Sequence, residues 1–305
     1  MFSHLHGPIK NMPKKIVTHN SSFHTDDIFA VAILLMITPD ALVVRSRDQA
    51  EIDSADYVVD VGMVYEPSRN RFDHHMRDGA GARENGIPYA SFGLVWKQFG
   101  EELSGGKRQA EVIDRYLIQA IDAIDNGVAI AENKFEGIRA YTIGDFFYSF
   151  IVDADVDQDS LYKIFMQNVE MAKELLKREI TRAHEFIAGE DLFKTCYENS
   201  IDRRLIELPK EGVPWEIMAA KFPEPIYVLY PCRDGNWGIG AVPDLTKPYG
   251  YIRKPLPLDW AGKKGKDLQK ITGVEDALFT HNKRFMASVG SKEGALELAK
   301  IALNA

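Results

Sequence analysis

Tyr57-Val58-Val59-Asp60-Val61-Gly62, followed after a turn-like Glu66-Pro67-Ser68-Arg69-Asn70 by Asp73-His74-His75, decides how this chain is read. An unbroken apolar run with β-branched residues suits a strand of a parallel sheet covered on both faces. Asp60 interrupts that run, and a buried carboxylate needs a metal or a cationic partner; a turn Asp bonded to backbone near Gly62 is the alternative. The same logic works outward. Lys15-Ile16-Val17-Thr18 and Ala41-Leu42-Val43-Val44 read as strands, and Asp26 to Ile37 reads as a helix stopped by Pro39. Tyr89 to Phe99 reads as a helix. So does Gln109 to Asn126, whose apolar stripe includes Val112, Tyr116, Ala120 and Ile124, with Gly127 just past its end. A long amphipathic helix is predicted from about Ser160 to Ala188. Beyond Cys196, Leu205–Leu208, Glu216–Ala220, Ile226–Tyr230 and Trp237–Val242 read as strands, and Glu293–Leu303 as a closing helix. The expectation is an α/β protein: a catalytic domain over residues 1–155 with a mainly parallel sheet, a helical connector over 156–195, and a smaller α/β domain over 196–305.

The 305 residues suffice for two domains, and 45% hydrophobic content supports a real core. The longest apolar run, Ile28 to Ile37, falls short of the roughly 18 residues that a membrane span needs. The first fifteen residues lack the features of a leader. Cys196 and Cys232 make neither a disulfide framework nor a zinc-finger spacing. A cytoplasmic enzyme with no membrane partner is the expectation, and an oligomer is open to it. The formal charge of -8 argues against indiscriminate binding to duplex nucleic acid. Arg253, Lys254, Lys263, Lys264, Arg284 and other basic residues crowd the last fifth of the chain. That asymmetry fits an anionic, phosphorylated substrate, or simply a solvated basic surface.

The candidate ligands cluster at the ends of apolar segments, where an α/β sheet presents its functional edge. His19, His24, Asp26 and Asp27 lie between a strand and a helix start. Helix capping accounts for one of these acids and for neither histidine. Asp60 and His74 follow strand and turn. Asp125 sits at a helix C-terminus, where the dipole disfavours negative charge and invites a cation. On the helical wheel Asp125 flanks the apolar stripe, whereas Asp122 lies opposite and reads as solvated. Imidazole with carboxylate and almost no thiol is a ligand set that manganese, magnesium or a catalytic zinc would choose, and two divalent ions, manganese foremost, are the cofactors expected. In Asp73-His74-His75 one imidazole can bind a metal, its neighbour can reach a phosphate, and the Asp can orient a ring; a surface His pair is the plain alternative.

The order of these motifs resembles the DHH phosphoesterase superfamily. Thr18-His19-Asn20, Asp60-Val61-Gly62-Met63-Val64-Tyr65, Arg71-Phe72-Asp73-His74-His75, Ile121-Asp122-Ala123-Ile124-Asp125-Asn126-Gly127 and Leu256-Pro257-Leu258-Asp259-Trp260-Ala261-Gly262 are similar to the melanocyte-proliferating-gene family within it. The resemblance spans nearly the whole chain. It implies a DHH-type catalytic domain and a divalent-metal-dependent hydrolase, a 3′-to-5′ exonuclease on single-stranded RNA or short oligonucleotides. It further implies that His19, His24 and Asp60 hold one metal ion, that Asp26, Asp60, His74 and Asp125 hold a second with Asp60 bridging, and that His75 contacts the scissile phosphate. His24 stands where other DHH enzymes usually carry Asp, and Arg284–Ser291 replaces a Gly-rich stretch of the family. The catalytic set expected is His75, Asp73 and Arg253, with Arg253, His281, Arg284 and His75 on substrate oxygens and Tyr249, Tyr251 or Trp260 stacking a base. A phosphatase of a small phosphorylated metabolite and a non-catalytic, metal-stabilised RNA-binding protein are the competing readings.

Overall fold

The computed structural model describes residues 13–153, 155–248 and 250–305. The leader reading and the stacking role expected of Tyr249 fall outside them. The chain forms two compact units, one ending at Ala183 and the other running from His184 to Ala305. This division falls inside the long helix that was expected as a separate connector.

The first unit contains β1 (Lys15–Thr18), α1 (Thr25–Ile37), β2 (Leu42–Arg45), α2 (Gln49–Asp53), β3 (Tyr57–Val59), β4 (Tyr65–Glu66), β5 (Arg71–Phe72) and α3 (Ser91–Ser104). Next come α4 (Lys107–Ile113), a π-helical turn (Asp114–Ile118), α5 (Gln119–Asp125), α6 (Ile143–Tyr148) and the first part of α7 (Gln158–Asn199). The sheet order is β2-β1-β3-β5-β4, parallel except where β4 pairs with β5. The expected α/β class and the mainly parallel sheet are borne out.

Register positions the site. Val17 pairs with Val58, and Val59 with Phe72. The residues just beyond these pairs, His19, Asp60 and Asp73, therefore emerge together at the carboxyl edge of the sheet. Helix α1 is apolar all round, because it lies in the core: Ile28 through Leu34 are fully buried. Phe29 stacks on Phe92 of α3 at 4.7 Å and meets Phe147 of α6 edge-on at 5.8 Å. Truncating a ring so enclosed costs about 3–5 kcal/mol. Leu161, Phe165, Val169, Ala172 and Leu176 of α7 complete this core at helical spacing.

The second unit contains the end of α7, β6 (Leu205–Glu207), α8 (Trp215–Ala219), β7 (Tyr227–Pro231), β8 (Trp237–Ala241), α9 (Gly265–Thr272), β9 (Ala277–Thr280), β10 (Met286–Val289) and α10 (Lys292–Asn304). Its sheet order is β6-β7-β8-β10-β9, with β6 parallel to β7 and the rest antiparallel. Trp260, Leu268, Leu298 and Ala302 belong to one core cluster, and Phe193, Trp215 and Met218 to another.

Several expectations are corrected. Glu216–Ala220 is not a strand. Trp215, Met218 and Ala219 of α8 are buried at i, i+3 and i+4, a helical period that a five-residue apolar run cannot reveal. The helix expected from Gln109 to Asn126 is broken by the π-helical turn. That turn shifts the downstream face by about one residue, roughly 100°. Asp122 is consequently fully buried rather than solvated, while Ile124 of the expected stripe is 49% exposed. Trp260 is buried and offers no ring to a ligand. Among the described residues no helix is long and apolar enough to cross a membrane.

Candidate metal centre

His19 directly follows β1. Its Nδ1 donates to the Asn20 carbonyl at 3.0 Å, an acceptor that fixes the tautomer of the neutral ring. The Nε2 edge lies 3.1 Å from Asp27 Oδ2 and 3.2 Å from Asp60 Oδ2, all three atoms buried and without a hydrogen-bond partner among the described residues. Asp60 directly follows β3 and lies in the left-handed region, with φ of 56°. Asp tolerates that conformation better than most residues, and such outliers concentrate at functional sites. The bend gives the carboxylate a second neighbour. Its Oδ1 is 3.3 Å from His74 Nε2 and accepts from Ser91 Oγ at 3.0 Å. His74 Nε2 in turn lies 3.2 Å from Asp125 Oδ2 and 3.8 Å from Asp26 Oδ2. Asp60 thus stands between two imidazoles.

Among the described residues three sets of donors come within metal-binding reach of one another: His19, His24 and Asp60; Asp60, His74 and His75; and His24, Asp26 and Asp125. They share Asp60 and His24, so they form one cluster. All six residues expected as ligands and His75 are brought together. The fit to cations can be tested on unmet bonding. Among the described residues, His19 Nε2, Asp26 Oδ1, Asp27 Oδ2, Asp60 Oδ2 and His74 Nε2 are buried atoms that find no hydrogen-bond partner. Polar atoms left so in a protein interior cost several kcal/mol between them, about 1–3 each, unless something occupies the space they share. Nitrogen and oxygen donors with no sulfur suit a hard or borderline divalent ion.

Electrostatics agree. Burial alone would lower the histidines, but the carboxylates of Asp27 and Asp60 hold His19 up to about 10, and those of Asp125 and Asp60 hold His74 up to about 10. Burial pushes Asp26 well above the usual carboxylate range, and the neighbouring Asp60, Asp125 and Asp27 push it further. Asp60 is held below its usual range because His19 and His74 override its burial. The pocket is an anionic trap that recruits protons when nothing stronger is bound.

Asp73 is absent from all three donor sets. It accepts from the Met63 amide at 2.6 Å, the His75 amide at 3.1 Å and His75 Nδ1 at 2.8 Å. It therefore aims the His75 ring, whose side chain stays 49% exposed. Three contributors carry little sequence signal. Asp27 accepts from the His24 amide at 3.0 Å and looks like an ordinary first-turn acid. Ser91, at the start of α3, donates its hydroxyl to Asp60 and its amide to Asp26 at 3.3 Å. Arg83 binds Asp114 and reaches Asp122 at 2.9 Å, bracing α5 next to Asp125. Burial pushes the Asp122 carboxyl up to about 7, with Arg83 opposing it.

The remaining expected residues lie in the second unit. Arg253 donates to the carbonyls of Pro225 at 2.9 Å, Ala220 at 3.0 Å and Pro223 at 3.3 Å, so its fork is engaged with backbone. His281 Nδ1 accepts from the Lys283 amide at 3.1 Å, and its ring lies 4.2 Å from that of Phe285. Arg284 has φ of 62° and donates to the Leu256 carbonyl at 3.2 Å. Tyr251 is exposed.

Comparison with known proteins follows this geometry. The human MYG1 exonuclease is 27% identical over 95% of this chain and 86% of its own length. The MYG1 protein of Chlamydia trachomatis is 26% identical over 96% of this chain and 97% of its own. A pGpG-specific phosphodiesterase of Vibrio cholerae covers 95% of this chain and 97% of its own at 14% identity, with a TM-score of 0.32, too low to carry an argument. The model of the MYG1 exonuclease family, described as "Uncharacterised protein family (UPF0160)", matches residues 15–303. By that match, over nearly its whole length, the chain belongs to the MYG1 family anticipated from its histidine and aspartate motifs.

Proposed function

We propose that this protein is a divalent-metal-dependent phosphoesterase that hydrolyses single-stranded RNA or short oligonucleotides from the 3′ end. The observation that carries the reading is the set of five buried, unbonded imidazole and carboxylate atoms converging beside a histidine that is exposed and aimed. The name of the human relative, an exonuclease, supports the substrate class.

In this reading His19, His24 and Asp60 would hold one divalent ion, and Asp26, Asp60, His74 and Asp125 would hold a second. When bound, the ions supply Lewis acidity to the phosphoryl oxygens and activate a water. Asp27 and the Asn20 carbonyl fix His19 from opposite edges. Ser91 orients the Asp60 carboxylate through its hydroxyl. Asp73 keeps a proton on His75 Nδ1 and leaves Nε2 for the substrate. Hydrolysis breaks the P–O3′ bond, joins a water oxygen to phosphorus and returns a proton to O3′; we assign that delivery to His75. Arg284 and His281 are assigned to substrate oxygens, whereas the three carbonyl bonds of Arg253 favour a positioning role for it.

The test is manganese-dependent shortening of 5′-labelled single-stranded RNA, run alongside Asp60→Asn and with the metal content of both proteins measured. Stepwise loss from the 3′ end in the parent, absent in the variant, supports the reading. Cleavage that survives Asp60→Asn, or failure to cleave RNA, DNA oligonucleotides, dinucleotides and nitrophenyl phosphodiesters with any divalent ion, overturns it.

A further inference from the structure

A cavity of about 710 Å³ adjoins the cluster in the first unit, and the hydrolytic step does not use it. His24 and Asp125, both members of the donor sets, line one end of it. The rest of the lining includes Phe23, Ile124, Tyr141 and Tyr148. Phe23 is buried, but Ile124, Tyr141 and Tyr148 are 49%, 70% and 61% exposed. Large apolar side chains left in water around a single concavity mark a binding surface. Ile124 is adjacent to Asp125 on α5, and Tyr148 ends α6, so the apolar wall and the anionic cluster are built from joined elements.

Among the described residues that line this cavity, Arg139 is the one Lys or Arg, and its charge is paired. Its Nη1 donates to Asp145 Oδ2 at 2.6 Å and its Nη2 to Asp145 Oδ1 at 2.5 Å. Asp145 is itself held by the Thr142 amide at 2.7 Å, a capping box that fixes the wall. Among the described lining residues there is therefore no unpaired Lys or Arg for a second phosphate. It fits a flat, uncharged group whose anionic end rests at the cluster. Its size accommodates one nucleoside rather than a strand.

We propose that this cavity is the base subsite of the enzyme, receiving the nucleobase and ribose of the nucleotide whose phosphate lies at the cluster, with Tyr148 as the stacking ring. The inference rests on the phosphate reading of the cluster. Stacking is tolerant of base identity because every base has a π-face, so all four bases are accepted.

The test is calorimetric binding of AMP, CMP, GMP and UMP, and of ribose 5-phosphate as a baseless control. It uses the manganese-loaded protein, Tyr148→Ala and Tyr148→Phe, with melting temperatures to confirm folding. In the parent the four nucleotides bind within a few-fold of one another and at least about tenfold more tightly than ribose 5-phosphate. Tyr148→Ala removes that advantage and Tyr148→Phe keeps it. Equal binding of AMP and ribose 5-phosphate by the parent overturns the subsite while leaving the phosphate reading intact, as does an AMP affinity unchanged in Tyr148→Ala. Failure of the parent to bind either ligand overturns the phosphate reading and the subsite together.

Discussion

Gly93→Ala tests whether the buried pair beneath Asp125 is as tight as its geometry indicates. In an ordinary helix this substitution stabilises by about 1 kcal/mol, because alanine loses less backbone entropy. Gly93 is the third residue of α3, in its first turn and without a positive φ, so that figure is the most the gain can reach. Opposing it, a Cβ at Gly93 would overlap the Asp122 carboxylate and stand 2.8 Å from Arg83 Nη2. Neither group can retreat freely. Asp122 is fully buried and accepts from the Gly93 amide at 3.1 Å, and Arg83 is pinned by Asp114. Separating a buried ion pair costs about 3–5 kcal/mol. The net expectation is a loss of roughly 2–4 kcal/mol, or about 4–16 °C in melting temperature for a unit of this size. The assay is urea and thermal unfolding of the metal-free protein followed by circular dichroism at pH 8, above the carboxyl value of about 7. Asp122→Ala provides the internal control. With the carboxylate gone the main overlap disappears and only the Arg83 contact remains, so adding Gly93→Ala to Asp122→Ala costs less than it costs the parent. A Gly93→Ala protein as stable as the parent, or more so, refutes the reasoning.

Three further outcomes are expected. Asp73→Asn removes the carboxylate that aims His75 and lowers kcat about 10–100-fold with metal content unchanged; a metal-depleted variant measured by elemental analysis would contradict this. Ser91→Ala deletes the hydroxyl donor to Asp60 and weakens manganese binding by about tenfold in equilibrium dialysis; unaltered affinity would show that Asp60 needs no such support. His19 and His74, held up to about 10 by their carboxylates, are charged near neutrality in the metal-free site and must be neutral to bind a metal. Raised values mean that the stability they give the metal-free fold is complete below pH 6.5 and lost as pH rises towards 10. Metal loading at pH 7.5 therefore releases protons, and affinity rises with pH; calorimetry in two buffers of different ionisation heat counts them, and a count near zero would refute the assignment.

The sequence made the site legible for a chemical reason. Histidines and acids at the ends of β1 and β3 have no packing role there, so a ligand was the simplest account of them. β1 and β3 themselves were legible because β-branched runs between polar loops have few alternatives. The two-residue β5 was not, since Arg71-Phe72 is too short to show a period; only pairing of Val59 with Phe72 fixes it. The π-helical turn was illegible for a different reason. It changes the phase of a helix without changing its composition, and Asp122 was misassigned because the wheel assumed one phase throughout. Asp27 was read among the candidate ligands but with no role of its own; Ser91 and Arg83 escaped notice because each has an ordinary explanation in isolation, a helix start and a surface charge. Their partners are remote in sequence, and folding alone discloses them.

The left-handed turn at Asp60 governs how mutagenesis of this centre must be interpreted. Replacement by alanine there confounds two injuries, the missing negative charge and a chain that no longer favours its bend. Asparagine, which shares aspartate's shape and its tolerance of that torsion, isolates the charge; glycine, which keeps the torsion and discards the side chain, isolates the bend. Glutamate, conservative in charge alone, is the misleading choice.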